Sequence, residues 1–445
     1  MTGAPTVSVA TLGCRLNQVE SQEVLALLER HGYQAAAPGE TADVCVINTC
    51  TVTGRADFSD RQLIRRMARE QPESFLVVTG CYAQTDPAAV AGIPGVDLVI
   101  GNQEKYRLPE LLAELRAASR ERARPVIRVA PIADARAVPV APFARVTGRS
   151  RAFVKIQDGC QHRCAFCIVP AARGSSRSQD PAVVLAQVET LVRAGYREVT
   201  LTGVDMGHYG WDHVPRTTLA ALVARLVAVP GLRWLRLSSI LPAYMTPALL
   251  DVIAGSKRVA PHLHVPLQSG SDRVLRLMRR PYNTRMYRGL VERLARDVPD
   301  LGLGADVIVG HPGERDEDFE ATMALVRELP FSYLHVFSYS DRKGTEAAHL
   351  SDRIPGPAIR ERSRALRQLG REKSLAFRQR LVGARRDVVV LGERDRVTGR
   401  LAGLTGNYVE VLFEGPDSLA RQVVPVRITG AASDRTHAVL EDASA

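Results

Sequence analysis

The sequence predicts an α/β protein in three parts: an N-terminal parallel-sheet domain, a central partial (β/α)6 barrel and a small C-terminal antiparallel β-barrel. Three observations support this prediction. Strand-like and helix-like segments alternate through residues 1–118, six strand-then-helix units follow between residues 151 and 339, and five short apolar runs follow Arg386. Alternation with short connections is typical of parallel sheets, whereas closely spaced short strands are typical of small barrels.

Length and composition limit the functional class. The 445 residues are enough for several domains, and their net charge of +11 suits a polyanionic partner. We find neither an apolar run of the ~18 residues that a membrane helix needs nor a secretory signal at the N-terminus. We therefore expect a cytoplasmic protein with no membrane partner. Seven cysteines in such a chain indicate metal or redox chemistry rather than disulfides.

The N-terminal domain is predicted to span residues 1–118. Its predicted strands are Thr6–Leu12, Asp43–Asn48, Phe75–Thr79 and Asp97–Ile100, and its predicted helices are Gln18–Arg30, Gly54–Arg69 and Glu104–Arg120. In such a sheet the functional site lies at the carboxyl ends of the strands. Cys45 lies inside the second strand and is expected to be part of the core.

Three cysteines of this domain directly follow predicted strands. They are Cys14 in Thr-Leu-Gly-Cys, Cys50 in Ile-Asn-Thr-Cys and Cys81 in Val-Thr-Gly-Cys. Successive strand ends can converge, and Gly13 and Gly80 allow the chain to turn tightly beside a bulky group. We therefore predict a three-cysteine cluster site. The alternative is three unrelated buried thiols, because free cysteine is commonly buried.

Residues 119–145 are rich in proline and are predicted to be an interdomain linker. Residues 146–376 are predicted to form the central core, ending in a basic helix. The six predicted core strands are Phe153–Gln157, Glu198–Thr202, Leu232–Ser238, His262–Gln268, Leu303–Val309 and Ser332–Ser338. Six units favour an open barrel over the closed form with eight.

A second cysteine triplet follows the first core strand. Cys160, Cys164 and Cys167 have C-x3-C-x2-C spacing on a short loop. Thiolates are the ligands of iron–sulfur clusters, and the absence of a nearby fourth cysteine leaves one iron open to a small molecule. The alternative is a zinc site with His162 as the fourth ligand, although His162 lies between two of the cysteines.

Polar and glycine-rich turns follow several core strands and together describe a pocket, although each alone could be only a loop. Their Asp, Ser and Gln side chains could hold ribose or amino groups, and an arginine after the cysteine loop could bind a carboxylate or phosphate. The candidate cofactor-binding residues are Thr202, Gly203, Asp205, Ser238, Gln268 and Arg173.

The C-terminal region begins with a basic segment. Ala358–Arg386 contains nine Arg and one Lys against two Glu, a net charge of +8, which indicates either a phosphate-binding surface or a solvated helix. Residues 377–445 are predicted to form a small barrel that binds RNA or is only a structural cap. Its predicted strands are Asp387–Leu391, Val397–Leu401, Tyr408–Phe413, Gln422–Ile428 and His437–Leu440.

The second triplet, with Phe166 before its third cysteine, resembles the motif of radical S-adenosylmethionine (SAM) enzymes. With both triplets and the C-terminal strands, the whole chain resembles the methylthiotransferases, which join an N-terminal cluster domain, a radical SAM barrel and a TRAM domain. The segments Lys155–Cys160, Gly203–Gly210 and Leu237–Ile240 most resemble the bacterial branch that acts on threonylcarbamoyladenosine beside the anticodon of tRNA.

The resemblance implies two [4Fe–4S] clusters and SAM as cofactors. It implies that Cys160, Cys164 and Cys167 hold the cluster that cleaves SAM, whose radical removes hydrogen from C2 of the adenine. It also implies that the cysteines at 14, 50 and 81 hold an auxiliary cluster that carries the sulfur, and that a second SAM supplies the methyl group. The implied partners are the tRNA anticodon stem-loop, an electron donor such as flavodoxin or ferredoxin, and a sulfur donor.

Two alternatives to this function stay open from the sequence. One is another branch of the same family, which acts on isopentenyladenosine in tRNA or on an aspartate of a ribosomal protein. The basic segment Ala358–Arg386 favours RNA over a protein substrate. The other is a non-catalytic iron–sulfur protein that binds RNA and cleaves no SAM.

Overall fold

The structure, a computed structural model, describes residues 4–37, 39–117, 125–146 and 149–441. It divides into two compact units. The first contains the chain up to Phe143 together with Gln157–Gln179 and Ser340–Thr345, and the second contains Ala144–Ile156, Asp180–Tyr339 and the chain from Glu346 onward. The limits predicted for the domains stay predictions, and the junction at residues 118–119 lies outside the described residues. Within the described part of the chain, no helix has the length and hydropathy to span a bilayer.

The strands and helices are numbered along the chain. The strands are β1 (Thr6–Thr11), β2 (Gln34–Ala35), β3 (Val44–Thr49), β4 (Phe75–Gly80), β5 (Leu98–Ile100), β6 (Val126–Arg128), β7 (Ala152–Lys155), β8 (Gln157–Asp158), β9 (Arg177–Ser178), β10 (Glu198–Thr202), β11 (Trp234–Leu237), β12 (His262–His264), β13 (Gly302–Val309), β14 (Tyr333–Ser338), β15 (Arg385–Arg394), β16 (Leu401–Thr405), β17 (Glu410–Phe413), β18 (Val423–Ala431) and β19 (Thr436–Leu440). The α-helices are α1 (Arg15–Arg30), α2 (Gly54–Glu70), α3 (Cys81–Thr85), α4 (Pro87–Ala91), α5 (Leu108–Ala117), α6 (Val169–Arg173), α7 (Pro181–Arg193), α8 (Leu219–Leu226), α9 (Pro247–Gly255), α10 (Asp272–Leu277), α11 (Thr284–Asp297), α12 (Asp316–Glu328) and α13 (Gly356–Gln379).

The first unit is built on a six-stranded parallel sheet in the order β2-β1-β3-β4-β5-β6. Its two faces bury separate apolar clusters, because successive side chains of a strand point to opposite faces. Val44 and Val46 belong to one cluster, whereas Cys45 and Ile47 belong to the other. The predicted parallel α/β sheet is confirmed, and Cys45 lies in the core.

Two short edge strands of this sheet escaped prediction. β2 and β6 have only two and three residues, too few to give a period-two pattern. β6 lies inside the segment predicted to be a linker and pairs with β5. A hydrogen bond also anchors the proline-rich stretch: the Arg30 guanidinium donates to the Pro142 carbonyl oxygen at 2.8 Å. The described part of that segment up to Phe143 therefore belongs to the first unit.

The second unit contains the six predicted core strands. β7, β10 and β11 form one parallel sheet, and β12, β13 and β14 form another. Parallel bridges from Leu235 to Val259 and from Ser239 to His264 join the two sheets. The strands are therefore consecutive in an open, curved sheet, which confirms the partial (β/α)6 barrel.

The two faces of the barrel wall differ in composition. On β13 the residues Leu303, Ala305 and Val307 are buried, and on β14 the neighbouring Leu334 lies against α13 beside Gly370. The opposite face of β12–β14 faces the interior of the barrel and carries polar side chains. On this face the His335 side chain is 55% exposed.

The C-terminal strands form a closed five-stranded barrel in the order β15-β16-β17-β19-β18, the form expected of the TRAM domain. One contact, between β17 and β19, is parallel, whereas the other pairs are antiparallel. The predicted strand Val397–Leu401 is wrong. Asp395 accepts from the Thr398 amide at 2.7 Å and closes a turn, so Val397 is 76% exposed and β16 begins only at Leu401.

The loop between β16 and β17 contacts the amino-terminal end of the barrel interior. The buried Arg236 donates to the Gly406 carbonyl at 2.8 Å and pairs with the buried Glu198 at 2.7 Å. Tyr408 stacks on His262 with a centroid distance of 4.3 Å. The C-terminal barrel thus contacts the core strands in two ways. The buried Arg236, whose charge is paired with Glu198, donates a hydrogen bond to the barrel, and Tyr408 of the barrel stacks on a core histidine.

Candidate active site

The three N-terminal cysteines follow adjacent strands of the first unit. Cys14 follows β1 and caps α1, Cys50 follows β3, and Cys81 begins α3 after β4. Because β1, β3 and β4 are neighbours in one parallel sheet, the three thiols lie at the same sheet edge. Cys14 is exposed, whereas the other two residues are each 8% exposed.

Two glycines bring these loops together. Gly13 has φ +102°, and a side-chain Cβ there would lie 2.8 Å from the Cβ of Cys50. Gly80 has φ +98°, and a Cβ there would lie 2.4 Å from the backbone N and O of Thr49. Any larger residue would be strained and would also push the cysteine loops apart. The tight turns expected at these glycines are present.

The N-terminal thiols influence one another electrostatically. Burial, together with the neighbouring charges of Cys81 and Cys14, raises the pKa of Cys50 to about 12. Burial also raises the pKa of Cys81. Several buried thiols at one point become thiolates together only when a cation neutralises them, and a metal does so. This all-sulfur donor set fits an iron–sulfur cluster.

A buried polar network lies behind these cysteines. Arg173 on α6 donates from Nε to the Cys81 sulfur at 3.2 Å and pairs with Glu20 on α1. Lys105 pairs with the same carboxylate at 2.7 Å. The sequence analysis did not identify Glu20 or Lys105. A signal for Glu20 was present in the sequence, because Asn17 and Glu20 interrupt the apolar face of α1, the helix that follows Cys14.

The second cysteine triplet lies on the loop between β8 and α6. The Cys160 amide donates to the Gly174 carbonyl at 2.9 Å, and the Cys167 amide donates to the Cys164 carbonyl at 3.1 Å. Gly159 has φ +76°, and a Cβ there would lie 2.0 Å from the Ser175 oxygen. The backbone thus fixes a compact loop with three partly exposed thiols that form no disulfide, and this donor set also fits a cluster.

Four of the six predicted cofactor residues lie at or beyond the carboxyl ends of the barrel strands. Thr202 ends β10, Gly203 and Ser238 directly follow β10 and β11, and Gln268 lies four residues beyond β12. The Gln268 backbone has φ +67° and is held by the Asp306 carbonyl at 2.8 Å. These residues keep their predicted role as an expectation.

The remaining two cofactor predictions have specific partners. Asp205 is hydrogen-bonded to His208 Nδ1 at 2.7 Å, and His208 Nε2 lies 3.0 Å from the Tyr244 hydroxyl. Arg173 belongs to the first unit, where its partners include Glu20 and Cys81. Arg173 therefore lies beside the N-terminal thiols, and its predicted role in cofactor binding stays a prediction.

A polar set on the inner face of the barrel was not predicted. Asp306 on β13 lies 2.9 Å from His264 Nε2 and 3.2 Å from His335 Nδ1. His264 Nδ1 in turn lies 3.1 Å from the Tyr333 hydroxyl. Burial alone would raise the pKa of Asp306, but hydrogen bonds from both imidazoles hold it below its usual range. The available signal was the His-Leu-His alternation of β12.

Comparison with known proteins decides the family. Residues 6–101 match the profile described as uncharacterized protein family UPF0004, and residues 154–326 match the radical SAM superfamily. The threonylcarbamoyladenosine tRNA methylthiotransferase MtaB of Bacillus subtilis (strain 168) is 38% identical over 431 residues, which are 95% of this chain and 93% of that protein. The chain belongs to the radical SAM methylthiotransferase family.

Other relatives cover both tRNA branches of this family. MtaB of Aquifex aeolicus (strain VF5) is 37% identical over 94% of this chain and 98% of its own length. The tRNA-2-methylthio-N(6)-dimethylallyladenosine synthase of Mycobacterium ulcerans (strain Agy99) is also 37% identical, over 96% of this chain and 82% of its own length. Overall identity thus separates the two branches only weakly.

Among solved structures, the chain is similar to the radical SAM methyltransferase TsrM from Kitasatospora setae, determined with cobalamin and a [4Fe–4S] cluster bound. The TM-score is 0.58 at 15% identity, over 78% of this chain and 77% of that chain. At this identity the similarity supports the fold. As a radical SAM methylthiotransferase, the protein uses SAM and [4Fe–4S] clusters and needs a reductant. The iron–sulfur interpretation therefore replaces the zinc alternative.

Proposed function

We propose that this methylthiotransferase converts N6-threonylcarbamoyladenosine, next to the anticodon of tRNA, into its 2-methylthio derivative. The observation that carries the proposal is the end-to-end similarity to MtaB of Bacillus subtilis. The two cysteine triplets of the first unit agree with it, because the reaction combines SAM cleavage with sulfur insertion.

The protein's own residues are proposed to bind the two clusters and to orient SAM. In this proposal Cys160, Cys164 and Cys167 hold one cluster, and the N-terminal set of Cys14, Cys50 and Cys81 holds the other. When bound, the clusters and SAM supply the electron, the radical and the sulfur needed at an unactivated aromatic carbon. Strand-end residues such as Thr202, Ser238 and Gln268 orient SAM at the carboxyl end of the barrel.

The polar inner face of the barrel favours threonylcarbamoyladenosine over isopentenyladenosine. A threonylcarbamoyl group carries a carboxylate, a hydroxyl and a urea, whereas an isopentenyl group is apolar. The His335 side chain is 55% exposed, so its second ring nitrogen can reach a ligand. A site built to hydrogen-bond its substrate discriminates against an analogue that leaves those groups unpaired. We assign this face to the substituent on adenine.

The substrate assignment can be tested with two synthetic anticodon stem-loops, one with each modified adenosine. Reconstituted protein with reductant, SAM and sulfide should convert the threonylcarbamoyl substrate, as measured by nucleoside mass spectrometry. His335→Leu should lower the kcat/KM preference for that substrate about tenfold, since a hydrogen bond to a charged group contributes about 1.5 kcal/mol or more. Conversion of only the isopentenyl substrate would assign the protein to the other branch, and no conversion of either would indicate a non-catalytic protein.

The exposed arginines of α13 form a candidate surface for tRNA phosphates. Arg360, Arg364, Arg367 and Arg371 follow an i, i+4, i+7, i+11 spacing and line a groove of about 300 Å³ with Ser338. This spacing places them on one side of the helix. Guanidinium groups in a row suit the phosphates of an RNA backbone.

Replacing Arg364 with Gln should weaken tRNA binding. It should also reduce the slope of the logarithm of the binding constant against the logarithm of the salt concentration by about one, because one phosphate contact is lost. A filter-binding or anisotropy titration at several salt concentrations measures both quantities. Arg193→Gln is the matched control, since Arg193 is an exposed arginine on α7, paired only loosely with Glu189 at 4.0 Å. Equal losses in the two variants would show that α13 contributes only general charge.

The proposed partners are the anticodon stem-loop, a low-potential electron donor such as flavodoxin or ferredoxin, and a sulfur donor. The proposed place of action is the cytoplasm, where tRNA is found. The net charge of +11 suits a polyanionic partner of this kind. The C-terminal barrel is proposed to bind RNA, in keeping with the expected TRAM domain.

A further inference from the structure

Arg173 has an unusual position for a charged residue. It is 2% exposed and ends α6, six residues after Cys167. Its guanidinium donates to several groups of the first unit. Nε donates to the Cys81 sulfur at 3.2 Å, a terminal nitrogen donates to Asn17 at 2.7 Å, and both terminal nitrogens donate to Glu20 at 2.5 and 3.0 Å. All of these contacts are made away from bulk water.

The network fixes the direction of the Nε–H group. A bidentate pair with a carboxylate holds the plane of a guanidinium, and Glu20 is itself 1% exposed and held by Lys105 at 2.7 Å. Asp158 Oδ1 lies 3.4 Å from Nη1 of the same guanidinium. Buried charges persist only when they are paired, and these are. The Nε–H group is therefore held toward Cys81 instead of being free to swing.

A fixed cation at a cluster thiolate has an electrochemical consequence. Reduction adds a negative charge to a cluster, and a nearby cation with an N–H···S hydrogen bond stabilises the reduced state more than the oxidised one. Hydrogen bonds to the sulfurs and local charge are among the factors that set the reduction potential of such clusters. Burial strengthens the effect because the surroundings screen it weakly.

We propose that Arg173 is a positioning residue that orients Cys81 and raises the reduction potential of the N-terminal cluster. The inference rests on the proposed function only in requiring that Cys14, Cys50 and Cys81 hold a cluster. In this proposal the segment after the second cysteine triplet acts on both clusters. Because the Cys160 amide is bound to Gly174, the loop that carries one set of ligands also carries the cation that acts on the other set.

The test is a redox titration of the full chain in which Cys160, Cys164 and Cys167 are all replaced by Ala, so that only the N-terminal cluster contributes. In this background, Arg173→Gln should shift the midpoint potential, followed by electron paramagnetic resonance, to more negative values. Arg173→Lys should give a smaller shift, because it keeps the charge but loses the planar fork. Iron content should remain near four atoms per chain, as expected for one [4Fe–4S] cluster.

Arg177→Gln is the matched control. Arg177 is also buried, at 3% exposure, and its guanidinium donates to the Ser175 and Arg173 carbonyl oxygens. Arg177 also pairs with Asp158 at 3.5 Å, so Arg177→Gln should shift the midpoint potential much less than Arg173→Gln does. A full iron content with an unshifted potential in Arg173→Gln would overturn the inference and leave the proposed function standing. A parent that binds no iron at the N-terminal site would instead overturn the proposed cluster.

If Arg173→Gln fails to load iron, Glu20→Gln provides a second measurement. It removes the carboxylate that pairs with Arg173 and keeps the cysteines and the arginine. Removal of this buried negative charge should shift the midpoint potential to more positive values, opposite to the Arg173 variants. A shift in the same direction as Arg173→Gln would contradict the electrostatic account and leave only a structural role for the network.

Discussion

Cys164→Ala is expected to abolish the cleavage of SAM. Cys164 is the middle thiol of the C-x3-C-x2-C loop, and only two thiolates would remain to hold the cluster. Formation of 5′-deoxyadenosine by the anaerobically reduced, reconstituted protein should fall to the level of a sample without protein, as measured by liquid chromatography. Iron should fall from about eight to about four atoms per chain, because the N-terminal ligands remain.

His162→Ala is the informative companion to this variant. His162 lies in the same loop and would be the fourth ligand of a zinc site, but it has no ligand role in the iron–sulfur assignment. Its iron content should equal that of the unaltered protein. Loss of metal in His162→Ala to the same extent as in Cys164→Ala would contradict the assignment of this loop to a cluster with an open iron.

Cys50→Ala is expected to separate the two half-reactions. It removes the thiol beside Gly13 from the N-terminal set and leaves all three cysteines of the second triplet. Production of 5′-deoxyadenosine should stay within about twofold of the unaltered protein, because effects at independent sites are nearly additive. Methylthiolation of the tRNA stem-loop should fall to background, as measured by nucleoside mass spectrometry.

Cys45→Ala is the control for this second variant. Cys45 lies on β3, the strand that Cys50 follows, but is 1% exposed in the apolar core, so its truncation should cost about 1 kcal/mol of stability and no iron. Both half-reactions should continue. Methylthiolated product from Cys50→Ala at the normal rate would remove the N-terminal cysteines from the sulfur-inserting role.

The cysteine positions could be predicted because each depends on a local pattern. A Gly-Cys or Thr-Cys pair directly after an apolar run identifies the carboxyl end of a strand, and Cys14, Cys50 and Cys81 all have this position. Parallel strands then bring their ends to one edge whatever the length of the intervening chain. The short strands β2 and β6 could not be predicted, since two or three residues carry no periodicity.

The contacts between these elements could not be predicted in the same way. Arg173 and Glu20 are separated by 153 residues, and no spacing rule relates α6 to α1. The sequence indicated only that Arg173 could bind an anion; in the structure its anions are a buried carboxylate and a cysteine sulfur. The inner-face pair of Asp306 and His335 likewise depends on the register of β13 with β14.

The sequence by itself determined which metal chemistry this protein can support and on which strand ends the ligands lie, because thiol spacing and strand patterning are properties of short segments. Only the tertiary structure decided which charged groups face those thiols. The physical reason is burial: an arginine without water must pair with anions, and the packing of distant helices determines which anions are available.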